Sequence, residues 1–120
     1  MRRKKIIKSE NQVARRKYKD IEVPLLALGC MRLPMQGDEV DMQELERMVE
    51  YCMQHGANYF DTAYMYVDAK SEIAIGKVLK NYKREDFILA DKSPIYKMSS
   101  RADVRKIFEE ELSHLKLELV

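Results

Sequence analysis

The 120-residue chain has no tryptophan, and only four glycines, three prolines, two cysteines and two histidines. Two cysteines, Cys30 and Cys52, are too few for a disulfide scaffold and leave no second pair for a zinc site, so both read as reduced thiols. No apolar stretch approaches the roughly 18 residues of a membrane span, which excludes a membrane helix. Residues 1–7 begin basic but lack the apolar centre of a signal peptide, so the expected location is cytoplasmic. What is present, 46% hydrophobic and 35% charged positions, is the composition of about one soluble globular domain.

Charge is unevenly spread. The net charge is +2, yet residues 1–20 hold nine Lys and Arg against two Asp and Glu, leaving the remainder acidic. Such a basic end meets phosphate backbones non-specifically. No nucleic-acid-binding motif follows it, so residues 1–18 read as a solvated basic tail and nucleic acid is not the expected partner.

Past residue 20 the apolar pattern alternates in type. Leu25-Leu26-Ala27-Leu28, closed by Gly29, is a continuous apolar run, as a strand buried on both faces reads. From Asp41 the spacing turns helical: Met42, Leu45, Met48, Val49, Cys52 and Met53 recur at three and four, with Asp41 and Glu44 as a capping pair and Gly56 as a stop. Ala57-Asn58-Tyr59-Phe60 reads as the second strand, Ser71 as the cap of a helix carrying Ala74, Ile75, Val78 and Leu79, and Phe87-Ile88-Leu89-Ala90 as the third strand. A third helix starts at Ser99 or Ser100 and runs through Val104, Ile107, Phe108, Leu112 and Leu115, after which Leu117-Glu118-Leu119-Val120 opens a fourth strand.

Strand starts near residues 25, 57, 87 and 117 repeat at roughly 30 residues, the length of one βαβ step. Parallel strands with crossover helices form an open doubly wound sheet or a closed eight-stranded barrel. The first announces itself with G-x-G-x-x-G, whereas Gly29-Cys30-Met31-Arg32-Leu33-Pro34 has a single glycine. The expected fold is therefore α/β, three to four βα units of a (β/α)8 barrel over residues 19–120, out of the about 250 residues a whole barrel needs. Such a piece has an unpaired edge and an inner face with no opposing strands. It reads as a fragment of a longer polypeptide, the alternative being copies that pair to complete the sheet.

Barrel active sites occupy the carboxyl ends of the strands. Asp61 ends the second strand, Tyr66 follows in its loop, and Lys92 ends the third. An ionised Asp holds a Lys charged, and an ammonium lowers the pKa of a nearby phenol, so the three together make a general acid. The plainer alternative treats Asp61 as a turn residue, Tyr66 as a partly buried aromatic and Lys92 as a solvated strand end.

The wording around these residues resembles the aldo-keto reductase family: Leu28-Gly29-Cys30-Met31-Arg32-Leu33-Pro34, then Asn58-Tyr59-Phe60-Asp61-Thr62-Ala63-Tyr64-Met65-Tyr66, then Ser71-Glu72 with Ile75-Gly76-Lys77-Val78-Leu79, then Ile88-Leu89-Ala90-Asp91-Lys92. The first of these is most similar to bacterial members, some of which carry an iron–sulfur segment near the C-terminus; this chain has no such cysteine cluster and no metal is assigned. The resemblance implies a barrel that binds NADPH and reduces aldehydes or ketones to alcohols, with Tyr66 as proton donor and Lys92 lowering its pKa. It also implies that Asp61 pairs with Lys92 and approaches the nicotinamide ribose, that Gly29, Cys30 and Met31 line the nicotinamide, and that a hairpin around residues 18–24 covers the barrel floor.

There are departures. The family's catalytic histidine belongs to a fourth strand beyond Val120; His55, beside a helix stop, and His114, on the third helix, read as structural or solvated. Val67 stands where the family commonly has glycine. Asp91 replaces a small residue, and by strand alternation it points toward the helix layer, where it needs a partner. The five-residue step from Asp61 selects Tyr66 over Tyr64. The resulting expectation is an NADPH-dependent reductase of a small carbonyl substrate; the alternative is a non-catalytic half-barrel that pairs through open sheet edges with itself or with a complementing chain.

Overall fold

The computed structural model describes residues 3–117. An antiparallel hairpin, β1 (Arg15–Tyr18) and β2 (Ile21–Pro24), turns through Lys19 at φ 52°. Residues 3–14 ahead of it do not form the free solvated tail expected from their charge. The Lys4 N–H donates to the Asn81 carbonyl at 2.6 Å, the Ser9 N–H to Gln54 at 2.8 Å and the Val13 N–H to His55 at 2.9 Å, so the segment is strapped across the domain while most of its cationic side chains stay exposed. Arg15 ties the hairpin on by donating to the Gly56 carbonyl at 2.6 Å and to Asn58 Oδ1 at 3.0 Å.

The first core strand, β3 (Leu28–Gly29), is shorter than the apolar run suggests. Leu25 and Leu26 are 59% and 62% exposed instead of buried on both faces. Full burial of such a strand needs the opposing strands of a closed barrel, and among the described residues the sheet has three strands and is open. A small hairpin absent from the sequence-based expectation, β4 (Met35–Gln36) with β5 (Glu39–Val40), turns at Gly37, whose φ of 62° suits glycine.

Helix α1 (Met42–Gln54) begins where its cap predicts, the Asp41 carboxylate accepting the Glu44 N–H at 3.1 Å, and it buries Leu45, Val49 and Met53. Next come β6 (Tyr59–Asp61), a four-residue helical turn α2 (Tyr66–Ala69), α3 (Ser71–Leu79), β7 (Ile88–Ala90) and α4 (Arg101–Leu115). Ser71 is not the cap of α3 but its first residue. Its hydroxyl donates to the buried Cys30 carbonyl at 2.8 Å and meets Thr62 Oγ1 at 2.8 Å, so it links the ends of β3 and β6 to the helix. Helix α4 starts with a reciprocal capping box between Ser100 and Asp103.

The strand order is β3-β6-β7, parallel throughout, with Leu28 opposite Phe60 and Phe60 opposite Leu89. Three βα units are thus present; the expected fourth strand, from Leu117 on, lies almost wholly outside the described residues. The core lies between sheet and helices, around Phe60, Leu45, Ile75, Leu79 and Leu115, all fully buried. Gly76 allows α4 to close on α3: a Cβ there would meet the Leu115 carbonyl oxygen at 2.7 Å.

Candidate active site

The parallel register sets Asp61 opposite Ala90, and the pairing continues past the strands, the Thr62 N–H donating to Ala90 at 2.9 Å and the Tyr64 N–H to Lys92 at 3.1 Å. This brings the carboxyl ends of β6 and β7 together. Lys92 Nζ forms an ion pair with Asp61 and donates to the Thr62 carbonyl at 3.1 Å. The same nitrogen lies 4.9 Å from the centroid of the Tyr66 ring. Partial burial works against the Lys92 charge, but hydrogen bonds to Asp61 and Tyr66 and the Asp61 charge outweigh it, holding the ammonium above its ordinary 10.5. The structure therefore gathers Asp61, Tyr66 and Lys92 into one group, open to solvent on one side, with the Asp61 and Lys92 side chains 38% and 49% exposed.

Tyr66 is carried by a strained turn. Val67, Asp68 and Ala69 have φ of 54°, 50° and 64°, three successive left-handed residues without a glycine. Such a conformation costs about 1–2 kcal/mol per residue. The position where the resemblance has glycine thus keeps a backbone glycine would favour, and Val67 is held there by partial burial against the core. Tyr64 points elsewhere, its ring 5.8 Å from that of His114 and under Lys97 Nζ at 4.9 Å.

Of the residues expected to line a cofactor, Gly29 and Met31 are exposed at the carboxyl end of β3, Met31 by 57%. A Cβ on Gly29 would meet nothing within 4 Å, so its flank is open. Cys30 is fully buried. Its N–H donates to the Asp61 carbonyl at 2.8 Å, its carbonyl accepts from Ser71, and burial together with the Asp61 charge pushes its thiol up to about 12.

Behind this face lies a polar cluster that sequence reasoning did not assemble. Glu72 is fully buried, and His114 Nδ1 meets its Oε1 at 2.9 Å. Asp91 and Glu111 join it, each of the three carboxylates offering an oxygen within 4.8 Å of the others. Burial first, then hydrogen bonding and repulsion from Asp91, push the Glu72 carboxyl up to about 9. Asp91 was recognisable as a strand-end acid facing the helices; its company was not, because Glu72 and Glu111 come from two different helices. His55 is at the end of α1, with Nδ1 2.8 Å from the Tyr51 carbonyl oxygen, so neither histidine belongs to the Asp61 group.

Parallel strands joined by crossover helices, with polar residues gathered at the strands' carboxyl ends, define a portion of an α/β barrel. The family model described as "Aldo/keto reductase family" matches residues 25–120. The chain belongs to the aldo/keto reductase family. It is 35% identical over 72 residues to probable aldo-keto reductase 1 of Glycine max, covering 59% of this chain and 21% of that protein. Among solved structures, the holo form of an aldo-keto reductase from Bacillus halodurans superposes with a TM-score of 0.71 at 28% identity, over 89% of this chain and 38% of that one. An aldo-keto reductase from Klebsiella pneumoniae in complex with NADPH gives 0.66 at 23% identity, over 92% and 37%. The chain thus corresponds to an N-terminal portion of larger members, and the barrel is not closed.

Proposed function

We propose that this chain supplies the proton-donating half of an NADPH-dependent reductase that converts aldehydes or ketones to alcohols. The observation that carries the reading is the group formed by Asp61, Lys92 and Tyr66 at the carboxyl ends of adjacent parallel strands. The residues also suit the cofactor: Gly29 leaves an open flank, Met31 offers an exposed apolar side chain, and Asp61 stands beside them with an acceptor for a ribose hydroxyl. Cys30 would contribute through packing under that surface. When bound, NADPH supplies the hydride. The Tyr66 hydroxyl donates its proton to the oxygen of the substrate carbonyl as negative charge develops there. The Lys92 ammonium, fixed by Asp61 and the Thr62 carbonyl, then stabilises the phenolate left behind.

No helix among the described residues is long and apolar enough to cross a membrane. A cytoplasmic setting is supported by the two free cysteines. The test is NADPH oxidation by the full-length protein with a simple aldehyde or quinone. Tyr66→Phe is expected to lower turnover by about 10²–10⁴-fold with NADPH binding, followed by fluorescence titration, nearly unchanged. Equal turnover in the variant would overturn the role of Tyr66.

A second reading, a half-barrel that pairs with itself or with a complementing chain, is favoured by one observation: the open sheet leaves Leu25, Leu26 and Met31 exposed. Sedimentation separates the two readings. A folded dimer at micromolar concentration that does not bind NADPH supports the pairing module, and NADPH binding by the monomer removes it.

A further inference from the structure

The buried carboxylates behind the strand ends have an arrangement that the proposed chemistry does not use. Each has one oxygen held by a protein donor. His114 Nδ1 serves Glu72 Oε1 at 2.9 Å, the Lys92 N–H serves Asp91 Oδ1 at 2.8 Å, and the Ser93 hydroxyl serves Glu111 Oε2 at 2.8 Å. The second oxygen of each, Glu72 Oε2, Asp91 Oδ2 and Glu111 Oε1, is buried without a donor. Glu72 and Glu111 are 0% and 2% exposed, so bulk solvent does not reach their free oxygens. Three carboxylates, each oriented by one outer hydrogen bond and each with a free buried oxygen, have the form of a ligand set with its orienting shell in place.

We infer that Glu72, Asp91 and Glu111 bind a divalent cation of calcium size, with His114, the Lys92 backbone N–H and Ser93 as positioning groups. An all-oxygen carboxylate set favours a hard cation. Size then discriminates. Two oxygens on one ion stand at most twice the metal–oxygen distance apart, about 4.6–5.2 Å for Ca²⁺ and about 4.0–4.2 Å for Mg²⁺. One oxygen from each carboxylate lies within 4.8 Å of the others, inside the span of a calcium ion. Protons are the competing occupant, since burial pushes both the Glu72 and the Glu111 carboxyls up. The ion would join the start of α3, the end of β7 and the body of α4, three elements far apart in sequence, one residue away from Lys92.

The experiment uses the full chain, stripped of metal by a chelator and titrated calorimetrically with CaCl₂, then MgCl₂, at constant ionic strength, with thermal unfolding followed in parallel. The expected result is one Ca²⁺ per chain, a melting temperature that rises with Ca²⁺ concentration, and weaker binding of Mg²⁺. Asp91→Asn and Glu111→Gln keep side-chain shape and remove a buried charge, so both variants fold; each is expected to weaken Ca²⁺ binding by about tenfold or more. No heat and an unmoved melting temperature at millimolar Ca²⁺ would overturn the proposal in favour of protonated carboxyls. Binding that both substitutions leave intact would also overturn it, by placing the ion elsewhere.

Discussion

Asp91 and Lys92 follow one another at the end of β7, and the strand's alternation sends them to opposite sides. Lys92 reaches the open face and pairs with Asp61 in contact with solvent; Asp91, half-buried, reaches the helix layer and meets the buried Glu72 and Glu111. The contrast separates two uses of charge. On the open face an ion pair contributes only about 0–1 kcal/mol to stability, so its geometry is free to serve chemistry. In the helix layer each carboxylate must be matched by a donor, a proton or a cation, and the same residue type becomes a structural constraint.

Removing a partner on the buried side should have the larger effect on folding. His114→Ala strips the donor from Glu72 Oε1 and is expected to cost about 1–3 kcal/mol, read as a lower midpoint in urea unfolding; an unchanged midpoint would mean that Glu72 is satisfied without it. On the open face the strained turn offers a gain. Ala69→Gly relieves a left-handed residue worth about 1–2 kcal/mol at an entropic cost of about 0.4–1 kcal/mol, for a net stabilisation of about 0.5–1 kcal/mol in the same assay. A loss instead would show that the turn is not strained in solution.

The smallest effect is expected at Lys92 itself. Lys92→Met should shift stability by no more than about 1 kcal/mol while abolishing any proton transfer that depends on the ammonium. Its pH dependence has a defined sign. Because the folded value lies above the ordinary 10.5, the contribution of Lys92 is complete below that pH and is lost as pH rises through the folded value. On the alkaline side the difference in stability between wild type and variant should therefore shrink only in strong alkali. A difference that shrinks instead near pH 7 would assign the pair to another group.

Local pattern made the three helices and the parallel order legible, and it set Asp61, Tyr66 and Lys92 near strand ends, but the family resemblance was what singled those three out. The unread features all depend on tertiary context. Leu25 and Leu26 read as buried because apolar runs carry no record of whether a barrel closes around them. Ser71 resembles a cap from sequence, and only its approach to Cys30 and Thr62 shows the hydroxyl bonded across elements. The left-handed turn after Tyr66 opposes the propensities of Val67 and Ala69, so no reading of residue preference would place it there. The carboxylate cluster joins positions 72, 91 and 111, a convergence set by helix packing and not by spacing.

The strap across the domain sets an order of events. Residue 4 is hydrogen-bonded to residue 81, and residues 9 and 13 to the end of α1. Closing so long a loop gains nothing until α1 and α3 are already packed, because the entropy of closure is spent before the contact forms. During synthesis this segment leaves the ribosome before the residues it binds, and must wait, unpaired, for them to follow. Residues made ahead of their partners lock only after those partners have packed.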